Sequence, residues 1–126
     1  MIEYTVEVYA DGGKFWRLNG ELHREDGPAV EYASGFKSWW LNGERHREDG
    51  PAVEHVSGDK AWYLNGKPHR EDGPAIESAD GSKYWYLNGD WVSEEEVMNP
   101  VEEMTMEEIC KALGKNVKVI KWLNIQ

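Results

Sequence analysis

The residues best equipped for chemistry occur three times over. His-Arg-Glu-Asp is written at residues 23–26, 46–49 and 69–72, and each copy sets an imidazole, a guanidinium and two carboxylates side by side. His46 with Asp49 is the kind of His–carboxylate pair that moves protons in general acid–base catalysis. Arg24, Arg47 and Arg70 are planar, forked donors suited to phosphate or carboxylate. Together with His23, His46 and His69 they make candidate ligand loops for a small anion. Three histidines at equal intervals also raise the question of a metal.

Spacing decides much of this. If each unit contributes two adjacent strands, equivalent atoms in successive units lie about 9–10 Å apart, whereas one metal needs every ligand atom about 2 Å from a single centre. His23, His46 and His69 therefore do not share an ion, and no metal and no cofactor are expected. No Ser, Thr or Cys is repeated within the segment to serve as a nucleophile, so no catalytic residue is assigned and the chain is read as a non-enzyme. Each arginine has Glu and Asp beside it, which favours internal ion pairs over an anion site. The structural reading of a copy is that Asp49 caps the amides of a turn and Gly50 takes a conformation closed to other residues. Pro51 then starts the next strand, with His and Arg bonding to the neighbouring unit.

The elements that carry these loops follow a 23-residue period. Trp16, Trp39, Trp62 and Trp85 keep it without slippage, as do Leu18, Leu41, Leu64 and Leu87, each followed by Asn-Gly. A short aromatic run ending in Asn-Gly reads as a strand entering a tight turn. Ala52-Val53-Glu54-His55-Val56, between Gly50-Pro51 and Ser57-Gly58, reads as a second strand. The ten residues from Asn42 to Pro51 are long for a hairpin loop, so the charged segment is expected to bend in its own way. Gly and Pro recur too often for helices.

Side chains alternate across a strand, so the units generate two stripes. One holds the four repeat tryptophans and leucines and is expected to be the packed core face. The other holds Arg17, Trp40, Tyr63 and Tyr86. That second stripe is either sheet surface covered by the C-terminal helix or a binding face, since Trp, Tyr and Arg supply many interface anchors.

Repeat arrays need ends that cover strand edges. Residues 1–10 read as an opening strand, the worn second half of a preceding unit, because Tyr9-Ala10-Asp11-Gly12 matches Tyr32-Ala33-Ser34-Gly35. Repeats then fill residues 11–92. The fourth unit departs from the motif, with Val92 and Ser93 where His and Arg would stand. Residues 93–126 read as a C-terminal cap of two short helices and a strand, one structural unit with the sheet. Ser93 with Glu96 and Thr105 with Glu108 fit capping boxes. The second helix is expected over about 106–113 and the closing strand over 117–122. The fold class is thus mainly β, α+β at the C-terminus: an elongated antiparallel β-hairpin repeat sheet with a helical cap. Cys110, within the second helix, is read as packed.

Charge narrows the partners. The chain has 126 residues, 24 acidic against 14 basic, for a net charge of −10. Residues 1–93 hold 17 acids and 10 bases and the rest 7 and 4, so no basic arm hides in the average. Direct nucleic-acid or membrane binding is disfavoured, and a protein with a basic surface is the expected partner. A homodimer is possible through an uncovered sheet edge. One cysteine, no basic and apolar leader and no long apolar run fit the cytoplasm.

A 23-residue unit of aromatic strand, Asn-Gly turn, His, Asp-Gly and aromatic strand resembles the MORN repeat over residues 11–92. It differs in carrying Arg24, Arg47 and Arg70 where the typical unit has Gly after the His. The unit Leu-Asn-Gly-x-x-His-Arg-Glu-Asp-Gly-Pro-Ala more closely resembles a repeat of uncharacterised bacteriophage and prophage proteins. The resemblance implies extended β-hairpin sheets and a phage or mobile-element origin. With the acidity, it implies a protein-binding inhibitor of a bacterial host protein, for instance a defence or nucleic-acid enzyme such as a CRISPR effector. The alternative is a binder that sequesters a small anionic ligand or nucleotide messenger. A hydrolase-type enzyme using the His–Asp pairs is the third reading.

Overall fold

The computed structural model describes residues 2–99 and the isolated positions 107, 108, 111 and 114. The chain is mainly β. It opens with β1 (Tyr4–Val8), and the first unit then supplies β2 (Lys14–Leu18), β3 (Glu21–Leu22) and β4 (Val30–Glu31). The second unit supplies β5 (Lys37–Ser38), β6 (Trp40–Leu41), β7 (Glu44–Arg45) and β8 (Val53–Glu54). The third repeats this as β9 (Lys60–Ala61), β10 (Tyr63–Leu64), β11 (Lys67–Pro68) and β12 (Ile76–Glu77). The fourth gives β13 (Lys83–Tyr84), β14 (Tyr86–Leu87) and β15 (Asp90–Trp91), followed by α1 (Glu94–Met98).

Among the described residues all pairings are antiparallel, and the main sheet runs β1-β2-β4-β5-β8-β9-β12-β13, with β3 on β2. Three further two-stranded hairpins, β6-β7, β10-β11 and β14-β15, continue the same units. Two turn types build the array. Asn19, Asn42, Asn65 and Asn88 have φ near +50°, and the glycines after them have φ of 79–86°. That is the type I′ turn whose twist suits a two-residue hairpin. At the other end, Tyr32 N–H donates to Phe36 O and Gly35 N–H to Tyr32 O, with Gly35 at φ 103°. This three-residue loop with a glycine bulge recurs at Tyr9–Gly13, His55–Asp59 and Ser78–Ser82. Its presence at Tyr9 makes β1 a half-unit, as the Tyr-Ala-x-Gly match implied.

The ten residues from Asn42 to Pro51 are not one loop. The chain reverses within Asn42-Gly43, so that Trp40 pairs Arg45 and Leu41 pairs Glu44. His46 N–H then donates to Trp39 O, and Trp39 N–H to Ala52 O. Only residues 48–51 leave the ladder, between two segments that pair with one continuous strand, and residues 25–28 and 71–74 do the same.

The core differs from the expected tryptophan–leucine face. Among the described residues, the buried apolar side chains include Ala29, Val30, Ala52, Val53, Ala75 and Val97, while the repeat tryptophans and leucines are half-buried. The substantial contacts between strands are those of hydrogen-bonded neighbours, so among the described residues no second layer lies over the tryptophans. Trp16, Trp39 and Trp62 are each covered by an arginine of their own unit.

At the C-terminal end, Val92 N–H still donates to Trp85 O, which keeps the ladder although the His is gone. Ser93 caps α1 as its spacing with Glu96 predicts: Glu96 N–H donates to Ser93 Oγ at 3.1 Å and Ser93 N–H to Glu96 Oε2 at 3.2 Å. Glu94, Glu95 and Glu96 occupy the first turn, where the helix dipole favours negative charge. Most of the expected second helix, its Thr105 capping box, Cys110 and the expected strand over 117–122 lie outside the described residues.

Candidate functional site

Each His-Arg-Glu-Asp copy divides into an inner and an outer half. The inner half begins with histidine. Asn42 N–H donates to His23 Nδ1 at 2.9 Å, Asn65 N–H to His46 Nδ1 at 3.0 Å and Asn88 N–H to His69 Nδ1 at 2.9 Å. Beside these bonds, Gly43 N–H donates to Leu22 O and Arg24 N–H to Trp40 O. The imidazole therefore stands in for a backbone carbonyl in the ladder that joins one unit to the next. Accepting on Nδ1 leaves the ring proton on Nε2, which faces Glu25, Glu48 or Glu71 at 3.4–3.5 Å. The candidate His46–Asp49 pair is not formed, because His46 Nε2 faces Glu48 and Asp49 is held by Arg47.

Asp49 belongs to arginine. Arg47 Nε donates to Asp49 Oδ1 at 3.0 Å, and its Nη1 donates to Pro51 O at 3.0 Å and Glu54 Oε1 at 3.4 Å. Arg70 repeats this with Asp72, Pro74 O and Glu77, and Arg24 with Asp26 and Pro28 O. The flat face of each guanidinium covers a tryptophan: Cζ lies 4.0 Å from the Trp16 ring centre, 3.9 Å from Trp39 and 3.8 Å from Trp62 for Arg24, Arg47 and Arg70. Such stacking is worth about 0.5–2 kcal/mol, more as water is excluded. The Arg24 hydrogen bond and charge hold the Asp26 carboxyl below the ordinary aspartate range.

The glycine of Asp-Gly-Pro has a different role from the one its turn-like context suggests. Gly27, Gly50 and Gly73 are absent from the positive-φ set. A Cβ on Gly50 would sit 2.9 Å from Arg47 Cζ, one on Gly27 2.9 Å from Arg24 Cζ and one on Gly73 2.6 Å from Arg70 Cζ. Glycine is there to let the guanidinium lie between backbone and indole.

The outer half is carboxylate. Glu25, Asp26, Glu48, Asp49, Glu71 and Asp72 have side chains three-quarters or more exposed. They rim two equivalent open grooves of about 630 Å³ between successive loops. The first has Trp39 and Leu41 in its wall and the second Trp62 and Leu64. Among the described residues, no group of three or more His, Cys, Asp or Glu is placed to hold a metal.

Arg17, Trp40, Tyr63 and Tyr86 are all half-buried. Arg17 bonds to Glu7 and to Gly20 O, and Trp40 Nε1 donates to the buried Ser38 Oγ at 2.7 Å. Cross-strand pairing adds Leu22, Arg45, Pro68 and Trp91 to the same row. The Arg45 guanidinium lies between the Trp40 and Tyr63 rings, 5.3 and 5.5 Å from their centres, with its buried Nε lacking a hydrogen-bond partner. Trp91 is 76% exposed.

A further aromatic row runs along the bulged turns: Tyr9–Phe15, Phe15–Tyr32, Tyr32–Phe36 and Phe36–His55, with ring centres 4.8–5.9 Å apart. It ends at His55, where Asp59 takes the place that Phe36 holds one unit earlier. Sequence reasoning missed Arg45, Trp91 and this row. Only the register, which pairs Trp40 with Arg45 and Tyr86 with Trp91, puts them on a shared face.

Comparison with protein-family models, curated proteins and solved structures finds no match to this chain. Among the described residues, no helix is long and apolar enough to cross a membrane.

Proposed function

We propose that this chain is a non-catalytic protein-binding repeat module, phage or mobile-element encoded, that inhibits a bacterial host protein by laying an acidic face on that protein's basic surface. The observation that carries this is the division of labour in the loops. His and Arg are occupied within the sheet, while pairs of exposed carboxylates repeat once per unit along one edge. Two strand spacings separate the pairs, about 10 Å, and such a row complements a surface that reads phosphates on a nucleic acid. A defence or nucleic-acid enzyme such as a CRISPR effector has such a surface.

Sequestration of a small anion at the arginine loops has less support, because each guanidinium already meets carboxylates and a backbone carbonyl beneath an acidic rim. The discriminating experiment is affinity capture from bacterial lysate over a salt series, beside a thermal-shift panel of nucleotides. The proposal expects one specifically retained protein, released by rising salt, and no nucleotide-dependent rise in melting temperature. Absence of specific retention at moderate salt would sink it.

A further inference from the structure

β1 is a five-residue strand paired along its whole length to β2, and among the described residues it has no partner on its other edge. Among the described residues, five of the ten exposed large apolar side chains, Ile2, Tyr4, Val6, Val8 and Tyr9, lie within or beside it. Natural edges are usually blunted by Pro, Lys, a bulge or a cover. Residues 4–8 contain no Pro or Lys, and pair β2 without a break in register.

The geometry of β1 identifies the pairing it accepts. Tyr9 N–H donates to Gly13 O and Asn19 N–H to Glu3 O, so odd-numbered residues form the hydrogen-bonded pairs with β2. By the alternation of an antiparallel ladder, Tyr4, Val6 and Val8 direct their N–H and C=O groups to the open edge. Their side chains share one face with Trp16 and Leu18. Among antiparallel arrangements of two such edges, the one centred on Val6 places Val6 opposite Val6, Tyr4 opposite Val8 and Thr5 opposite Glu7. Within β1 every apolar residue meets an apolar one and no like charges face each other, while just beyond it Tyr9 meets Glu3. Moving the centre to Glu7 sets two carboxylates directly opposite, which is destabilising.

We infer that β1 is a self-complementary docking edge. Two copies of this chain pair β1 to β1 about a two-fold axis at Val6, making one continuous sheet across the dimer. The contact is isologous and closed. Because each copy carries a net charge of −10, pairing strengthens as salt screens their repulsion, the reverse of the salt response proposed for a basic host protein.

Sedimentation equilibrium of the full chain tests this. The expected result is a mass of twice 14.5 kDa, with tighter association at high salt. Val6→Lys sets two ammonium groups opposite one another and weakens the dimer by about tenfold or more, since 1.4 kcal/mol is tenfold. Val6 is exposed, so the monomer should still fold, which circular dichroism would verify.

Register is read with a short bifunctional thiol crosslinker in a Cys110→Ser background. Val6→Cys should crosslink, because a hydrogen-bonded antiparallel pair has Cα atoms about 5.5 Å apart. Val8→Cys should not, because its two copies would lie about 13 Å apart. A monomer at every concentration and salt overturns the inference, whether other residues of the chain or nothing covers the edge. So does a dimer indifferent to Val6→Lys, or one crosslinked only through Val8→Cys. Host-protein capture is scored separately, so either proposal can fail alone.

Discussion

Gly50 lies against the guanidinium of Arg47, with a Cβ at that position placed 2.9 Å from Arg47 Cζ. Gly50→Ala should therefore destabilise the protein by about 1–3 kcal/mol through overpacking. The diagnostic is coupling: in an Arg47→Ala background the same substitution should cost markedly less, giving an interaction energy of about 0.5–3 kcal/mol in a double-mutant cycle. Additive costs would mean that glycine serves the backbone alone.

His46 accepts from the Asn65 amide across the unit boundary. Replacing it with Ala removes one inter-unit bond, a loss of about 1 kcal/mol. Amide hydrogen exchange localises the effect: the Asn65 N–H should lose protection while the Asn42 and Asn88 amides, served by His23 and His69, keep theirs. Uniform loss of protection would point to global destabilisation instead.

Asp26 sits below its ordinary pKa because Arg24 donates to it, and Glu7 is lowered by Arg17 and then by the Tyr9 hydroxyl. A carboxylate lowered on folding stabilises the fold fully above its unfolded-state pKa, about 3.9 for Asp and 4.3 for Glu, and the contribution is lost as pH falls through the folded value. Urea midpoints should therefore hold from neutral pH to about 5 as far as these two groups decide it, and fall below about 4. Asp26→Asn and Glu7→Gln should each flatten that decline. Both carboxylates face solvent, which screens their ion pairs, so the change is small.

The Arg45 Nε is buried between Trp40 and Tyr63 without a hydrogen-bond partner. An unsatisfied buried donor costs about 1–3 kcal/mol. Met retains the contact with both rings. Arg45→Met should leave the melting temperature unchanged or raise it, and a fall of several degrees would show that the cation–ring contacts outweigh the orphaned donor.

Legibility in the sequence followed backbone geometry. Asn42-Gly43 declared its turn because both residues tolerate positive φ, which the two-residue hairpin requires. Ser93 with Glu96 announced α1 because the capping box is local. Asp49-Gly50-Pro51 misled, because glycine in such a context usually means an unusual φ and here means space for Arg47. The tryptophan stripe misled for the same reason: an indole covered by an arginine from its own unit is only half-buried, so the buried positions passed to Ala29, Ala52 and Ala75. Of the second stripe, Arg17, Trp40, Tyr63 and Tyr86 could be read from periodicity. Arg45 and Trp91 could not, since the first and third units carry Leu22 and Pro68 there.

The central claim is that each His-Arg-Glu-Asp copy holds the sheet with its inner half and binds a partner with its outer half. The most direct measurement compares wild type with a Glu25→Gln, Glu48→Gln, Glu71→Gln triple variant for thermal stability and for capture of the host protein. Gln still offers an oxygen to each His Nε2, so the account predicts a melting temperature within a few degrees of wild type and retention lost at moderate salt. Retention at wild-type strength by a folded triple variant would contradict it.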